Sequence, residues 1–232
     1  MNADERFAIL NDFIGYGNPE GKFWFIGLEE HGNWEESPNV DQEIEKFKNR
    51  ILCDNAGEPK GKTKVYEIMS KIVLSAKDRP LDKWQEYIVN ELLVKDGETF
   101  QMNLFPLGKN NWDYWPAEGS YKRLFNFDSR GQYLQKVKDS KRFEKLRDEW
   151  SLDRKQTKVT ICFGANQWES FKTSLNLSGL PEIDTWYRTY PSEKVILCPF
   201  FSGRPNCFGA NDEKISTIGN EVKRLLGGAP SL

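Results

Sequence analysis

Four short stretches of the 232-residue chain concentrate side chains that bind or react. The first, Gly27-Leu28-Glu29-Glu30-His31-Gly32-Asn33-Trp34, sets two carboxylates and an imidazole directly behind an apolar run. A carboxylate placed there can orient or deprotonate a water and stabilise a cationic sugar, and His31 can serve as an acid or a phosphate contact. Glu29 and Glu30 would equally well cap a helix or form a surface ion pair. In the second stretch Asn103 lies within the apolar run Thr99-Phe-Gln-Met-Asn-Leu-Phe105. A buried amide must be satisfied, by backbone or by a ligand such as a base edge. The third, Ser202-Gly203-Arg204-Pro205-Asn206, can grip a phosphate through backbone N–H groups and the Arg fork, or be an ordinary turn with a solvated Arg. The fourth holds Trp112, Tyr114 and Trp115, which can stack on bases or pack as a satellite cluster beneath a loop.

What can position these groups is legible in the hydrophobic pattern. Residues 22–27, 99–105, 158–164 and 194–199 are short apolar runs rich in aromatic and β-branched residues, and each reads as a strand covered on both faces. Between them apolar residues recur at helical spacing over 40–52, 65–73, 84–93, 132–150, 165–175 and 211–226. The last begins Asn-Asp-Glu and closes on Gly227-Gly228, good start and stop signals. Strands alternating with helices predict an α/β fold, three αβα layers around a central, mostly parallel four-stranded sheet. Residues 53–64 and 108–120 read as loops, and no linker divides the chain, so one domain over 1–232 is expected. Ligands of such sheets sit beyond the C-terminal strand ends, where all four stretches fall. In 132–150, Lys136, Lys138, Lys141, Arg142, Lys145 and Arg147 alternate with acids and read as a solvated helix face, or as a patch facing a duplex.

Composition removes several classes. Lys+Arg number 33 and Asp+Glu 35, so the net charge of −2 does not advertise a nucleic-acid binder, although a local basic stripe can coexist with it. No run approaches the roughly 18–20 apolar residues of a membrane span, and the acidic N-terminus is unlike a signal peptide. A cytoplasmic protein with free thiols is the expectation. His31 is the only histidine, which excludes any two-imidazole mechanism or His₂ metal site within one chain. Cys53, Cys162, Cys198 and Cys207 form no CxxC pair, so no zinc site is expected.

The order of these motifs resembles the uracil-DNA glycosylase superfamily across residues 20–226. Gly27-Leu28-Glu29-Glu30-His31 is similar to its first motif, with Glu29 at the water-activating position. Cys198-Pro199-Phe200-Phe201-Ser202 is similar to its second, with Cys198 where the family has histidine. Val159-Thr-Ile-Cys-Phe-Gly-Ala165 resembles its strand leading to Gly-Ala. The resemblance implies that Asn103 reads a base edge while Phe105 or Trp34 stacks on the base. It also implies a sheet order of second, first, third, fourth strand. The four cysteines do not match the positions that hold an iron–sulfur cluster in some branches, so neither a cluster nor another cofactor is expected.

Two functions follow from the resemblance. One is hydrolysis of the N-glycosidic bond of a damaged or deaminated base in DNA. The other is a catalytically impaired module on the same fold that holds a nucleobase, nucleotide or protein partner, because a thiol is a weak donor to a departing base anion. A less related nucleotide or sugar hydrolase is a third reading, distinguished by a different strand order.

Overall fold

The computed structural model describes residues 1–29, 34, 39–58, 60–61, 63–108, 115, 120–151, 158–164, 167–202 and 211–227. Its strands are β1 (Gly15–Gly17), β2 (Phe23–Gly27), β3 (Ile51–Leu52), β4 (Thr99–Asn103), β5 (Val159–Phe163), β6 (Glu182–Ile183), β7 (Arg188–Tyr190) and β8 (Val195–Cys198). Its helices are α1 (Ala3–Asp12), α2 (Val40–Glu45), α3 (Lys64–Ala76), α4 (Trp84–Asn90), α5 (Ser120–Phe125), α6 (Arg130–Asp139), α7 (Arg142–Ser151), α8 (Trp168–Leu175) and α9 (Asp212–Leu225). The α/β class and the mostly parallel sheet agree with the sequence. The strand number does not: eight strands stand in the order β3-β1-β4-β2-β5-β8-β7-β6. The four added strands are two or three residues long, too short to show a periodicity, and they flank the long ones in pairs.

The central block β4-β2-β5-β8 is parallel throughout. All five residues of β2 and of β5 are buried, and alternation sends them to opposite sides. Phe23, Phe25, Val159, Ile161 and Phe163 meet α3, α4 and α9, whereas Trp24, Ile26 and Cys162 meet α1, α2 and α5–α8. Two apolar faces explain why these runs carry no polar alternation. Between α3 and α9 the contact is close: a Cβ on Gly219 would lie 2.3 Å from the Ser75 hydroxyl oxygen, so only glycine lets the two helices meet there. No helix among the described residues is long and apolar enough to cross a membrane.

Capping follows the sequence signals. Asn211 accepts from the N–H groups of Glu213 and Lys214 at the head of α9, and Thr63 accepts from Tyr66 at the head of α3. Asn2 and Glu5 form a reciprocal capping box on α1.

Two expected helices are divided. The pattern over 40–52 ends as a helix at Glu45, passes through a 3-10 turn at Lys46–Lys48 and becomes β3, where Ile51 pairs with Gly15. The pattern over 132–150 breaks at Lys141, whose φ of 56° is left-handed. There Ser140 bonds back to the Val137 carbonyl and across to the Asn11 side chain.

That break turns Arg142 inward, so one member of the basic run is not a solvated face: Arg142 is only 2% exposed. Its Nε donates to the Leu104 carbonyl and its Nη2 to that of Asn103, both at 2.8 Å. Its Nη1 reaches the carbonyls of Asn11 at 2.6 Å, Phe13 at 3.0 Å and Leu10 at 3.5 Å. Burial lowers its pKa to about 10, which leaves it charged at neutral pH. The cation thus joins the carbonyl end of α1, where the helix dipole is negative, to the end of β4. Arg142→Ala would strand these oxygens. It is expected to lose at least about 3 kcal/mol in urea denaturation. Arg142→Lys, whose ammonium cannot span both groups, should recover only part of the loss.

A surface tie holds α1 to α2. Asp41 accepts from Arg6 Nε at 2.7 Å and from the Met1 amine at 2.9 Å. Its pKa falls from 3.8 to about 2, first through the Arg6 hydrogen bond and then through the amine. Because the folded value lies below the unfolded one, this contribution is complete above pH 3.8 and is lost as pH falls through 2. The denaturation midpoints of wild type and Asp41→Asn should differ at neutral pH and converge across that window.

Candidate functional site

The connections place a crevice. Within the parallel block β2 is followed by β4 on one side and β5 by β8 on the other, although β2 and β5 are neighbours. Adjacent strands with opposite exits form a topological switch point, where ligands of open α/β sheets bind. That rule puts the candidate crevice at Gly27 and Phe163, the last residues of those strands.

The expected residues Gly27, Asn103 and Cys198 do gather here. Gly27 pairs with Asn103 and Phe163 with Cys198, forming a row across four strand ends. Asn103 lays its amide over Gly27: a Cβ on Gly27 would stand 2.5 Å from Asn103 Oδ1 and 3.1 Å from the Phe163 ring. Among the described residues the Asn103 amide makes no hydrogen bond, while its own backbone carbonyl is held by Arg142. A half-buried amide with free donors and an acceptor, set at a crevice mouth beside a ring, is suited to the edge of a flat heterocycle. Phe163 stacks on Phe201 with centroids 4.3 Å apart and an interplanar angle of 7°, and Phe200, 38% exposed, lies 6.1 Å from Phe163.

Cys198 is inert in this arrangement. Its Sγ is buried and donates weakly to the Cys162 carbonyl at 3.5 Å, and burial pushes the thiol well above its ordinary value. Its carbonyl accepts from the Gly164 N–H at 3.1 Å and from the Trp168 indole at 3.4 Å. The carbonyl is thus used to fasten α8.

Glu29 stands two residues beyond the end of β2. Both its carboxylate oxygens are buried, and its charge acts on Tyr133 of α6. The Tyr133 phenol is pushed far up, mainly by burial, with Glu29 adding to the rise. Tyr133 also fixes the loop after β4, since its hydroxyl accepts from the Leu107 N–H at 3.2 Å, and the Tyr121 hydroxyl donates to the Gly108 carbonyl. Trp115 stacks on Tyr133 at 5.7 Å and 28°, so this member of the aromatic set packs beneath the loop.

The two stacking candidates lie elsewhere. Phe105 is 6% exposed, edge-on to Phe143 at 5.5 Å, and its N–H extends the β2–β4 ladder to the Leu28 carbonyl at 2.7 Å. Trp34 packs edge-on against Phe47 and Phe125. Phe163 at 3% exposure is as closed as Phe105, and of the rings named at these strand ends Phe200, at 38%, is the exposed one. Ser202 closes a tight turn through its N–H to the Phe200 carbonyl at 2.9 Å. Glu30, His31, Trp112, Tyr114, Gly203 and Arg204 lie outside the described residues.

Sequence reasoning passed over Tyr133 and Arg188, and read Arg142 only as a member of a basic helix face. A signal existed for Arg142: it precedes Leu146 and Trp150 by four and eight residues, the apolar stripe of its helix. Among the described residues no cluster of three His, Cys, Asp or Glu side chains is gathered as a metal site would need.

Gly27→Ala forces the new methyl against Asn103 Oδ1 and the Phe163 ring. A loss of about 1–3 kcal/mol in chemical denaturation is expected, with displaced amide resonances of Asn103 in the NMR spectrum. Comparison with known proteins yields neither a matching family model nor a matching curated protein, so the site is read from its own geometry.

Proposed function

We propose that the chain is a uracil-DNA glycosylase-like protein whose crevice takes a nucleobase from DNA and hydrolyses its N-glycosidic bond. The observation that carries this reading is the Asn103 amide, unbonded among the described residues and laid across Gly27 at the switch point. The strand order supports it: counted along the chain, the four long parallel strands lie second, first, third, fourth. In the proposed reaction the base leaves the stack, Asn103 reads its edge, and the exposed ring of Phe200 covers its face. Glu29 orients the attacking water and offsets the positive charge that develops on the sugar. Its buried position intensifies that effect, because charges act more strongly away from bulk water.

A second reading is favoured by Cys198. The resemblance puts a donor to the departing base anion at this position, and a buried thiol turned to a carbonyl supplies none. On that reading the crevice recognises a base or nucleotide without turning it over.

Oligonucleotides carrying uracil, hypoxanthine or xanthine separate the two. Wild type is expected to release at least one of these bases about 100-fold or more faster than Glu29→Gln. Equal rates for the two proteins on all three substrates would end the enzymatic reading. The binding module would then require an affinity for the modified strand that Asn103→Ala weakens about tenfold.

A further inference from the structure

The strand that brings Asn103 to the candidate crevice carries two more polar residues on the same face. By alternation Thr99, Gln101 and Asn103 of β4 point together, toward the side where Phe23 and Phe25, the β2 partners of the first two, pack with α3 and α9. Phe100 and Met102, between them, point to the opposite layer. Three polar side chains in a row on an otherwise apolar face require an account of their hydrogen bonds.

The first is structural. Thr99 is fully buried, and its hydroxyl accepts from the Leu93 N–H at 2.8 Å. The other two are different. The side-chain oxygen of Gln101 is buried and has no hydrogen-bond partner among the described residues, and the Asn103 amide, two residues on, likewise makes none. Gln101 stands in register between Tyr16 of β1 and Phe25 of β2. Gln101 and Asn103 both keep partial exposure in a layer where Phe25, Ile161 and Ile196 have none. The face is therefore open along β4, with Asn103 at the strand end and Gln101 two residues, roughly 6.6 Å, deeper.

Depth decides which part of a ligand each amide meets. A nucleobase that enters from the strand end keeps its sugar outside. Its flank then passes Asn103, and the edge opposite the glycosidic nitrogen arrives at Gln101. Bases differ at that edge: the ring nitrogen carries a hydrogen in uracil, hypoxanthine and xanthine, and is a bare acceptor in cytosine and adenine. A buried oxygen is satisfied by the first kind and faces a second lone pair in the other.

We propose that Gln101 is a specificity-determining residue of this crevice, its side-chain oxygen accepting the ring N–H of a lactam-type base whose flank meets Asn103. The assignment rests on the nucleobase reading of the crevice and requires binding alone, not turnover. It narrows the ligand to bases in the keto form with a hydrogen on the ring nitrogen, the form that hydrolytic loss of the amine gives from cytosine and adenine.

Fluorescence anisotropy tests the assignment with labelled single strands that carry one 2′-fluoro-2′-deoxynucleotide, whose fluorine slows cleavage of the glycosidic bond so that binding is read alone. Strands with uracil or hypoxanthine at that position are compared with strands carrying the amino parents, cytosine or adenine. Wild type is expected to prefer at least one lactam base over its parent by about tenfold or more, because the wrong base leaves a buried acceptor unpaired. Gln101→Met, which keeps the length and removes the acceptor, should bring that ratio to within about twofold. Circular dichroism verifies that the variant is folded. A change in the ligand reads the same bond from the other side: the N-methylated form of the preferred base, 3-methyluracil or 1-methylhypoxanthine, lacks the ring hydrogen and should bind wild type no better than the amino parent does. That comparison decides the matter if Gln101→Met does not fold.

An unchanged preference in folded Gln101→Met, or equal affinity of wild type for the preferred base and its N-methylated form, would overturn the assignment. So would equal binding of all strands by wild type, and each of these results leaves the reading of Asn103 in place. Failure of wild type to bind any of the strands would overturn both.

Discussion

A guanidinium shut away from water and surrounded by five carbonyl oxygens sets the geometry of one side of this molecule. Arg142 spends its donors on the end of α1 and on Asn103 and Leu104 at the end of β4, next to the β1–β4 ladder. An isolated buried charge is costly, and this one is offset because each of its three nitrogens donates to a carbonyl and the negative end of the α1 dipole faces it. Asn103 depends on the arrangement directly, since its carbonyl is one of the five.

The same economy runs along the loop after β4. The Leu104 and Phe105 N–H groups continue the ladder to Gly27 and Leu28, Tyr133 takes the Leu107 N–H, and Tyr121 holds the Gly108 carbonyl. The segment is irregular, yet its polar backbone groups are engaged one after another, as buried backbone requires. The rigid wall of the crevice is therefore made by phenols and a guanidinium that approach from helices α5, α6 and α7. On the opposite wall Trp168 and Cys198 play the corresponding part for α8.

The legible portion of this fold is the portion with long-range hydrophobic pattern. Phe23–Gly27 and Val159–Phe163 announce doubly covered strands because every position is apolar, and Asn211-Asp212-Glu213 announces a helix because capping is local chemistry. Asn103 stands out for the complementary reason, a polar residue in an apolar run. What escapes are elements whose existence depends on partners. Ile51 follows a helical rhythm but pairs with Gly15 as a strand, and Arg142 sits in a charged segment yet turns inward at Lys141. Phe105 is a base platform only by the resemblance, and the continued ladder to Leu28 draws it into the interior. The Arg188–Trp168 contact joins residues twenty apart on different elements, a distance no local pattern spans.

The outermost strand on the β8 side has a quieter consequence. β6 is only two residues long, yet it carries Ile183 at 71% exposure on the rim of the sheet, with Leu180 just before it at 92%. A third chain segment arriving at that border would find apolar surface to attract it but backbone enough for scarcely one pair of rungs. Brevity there acts as a stop, so that eight strands do not become a template for a ninth from a neighbouring molecule.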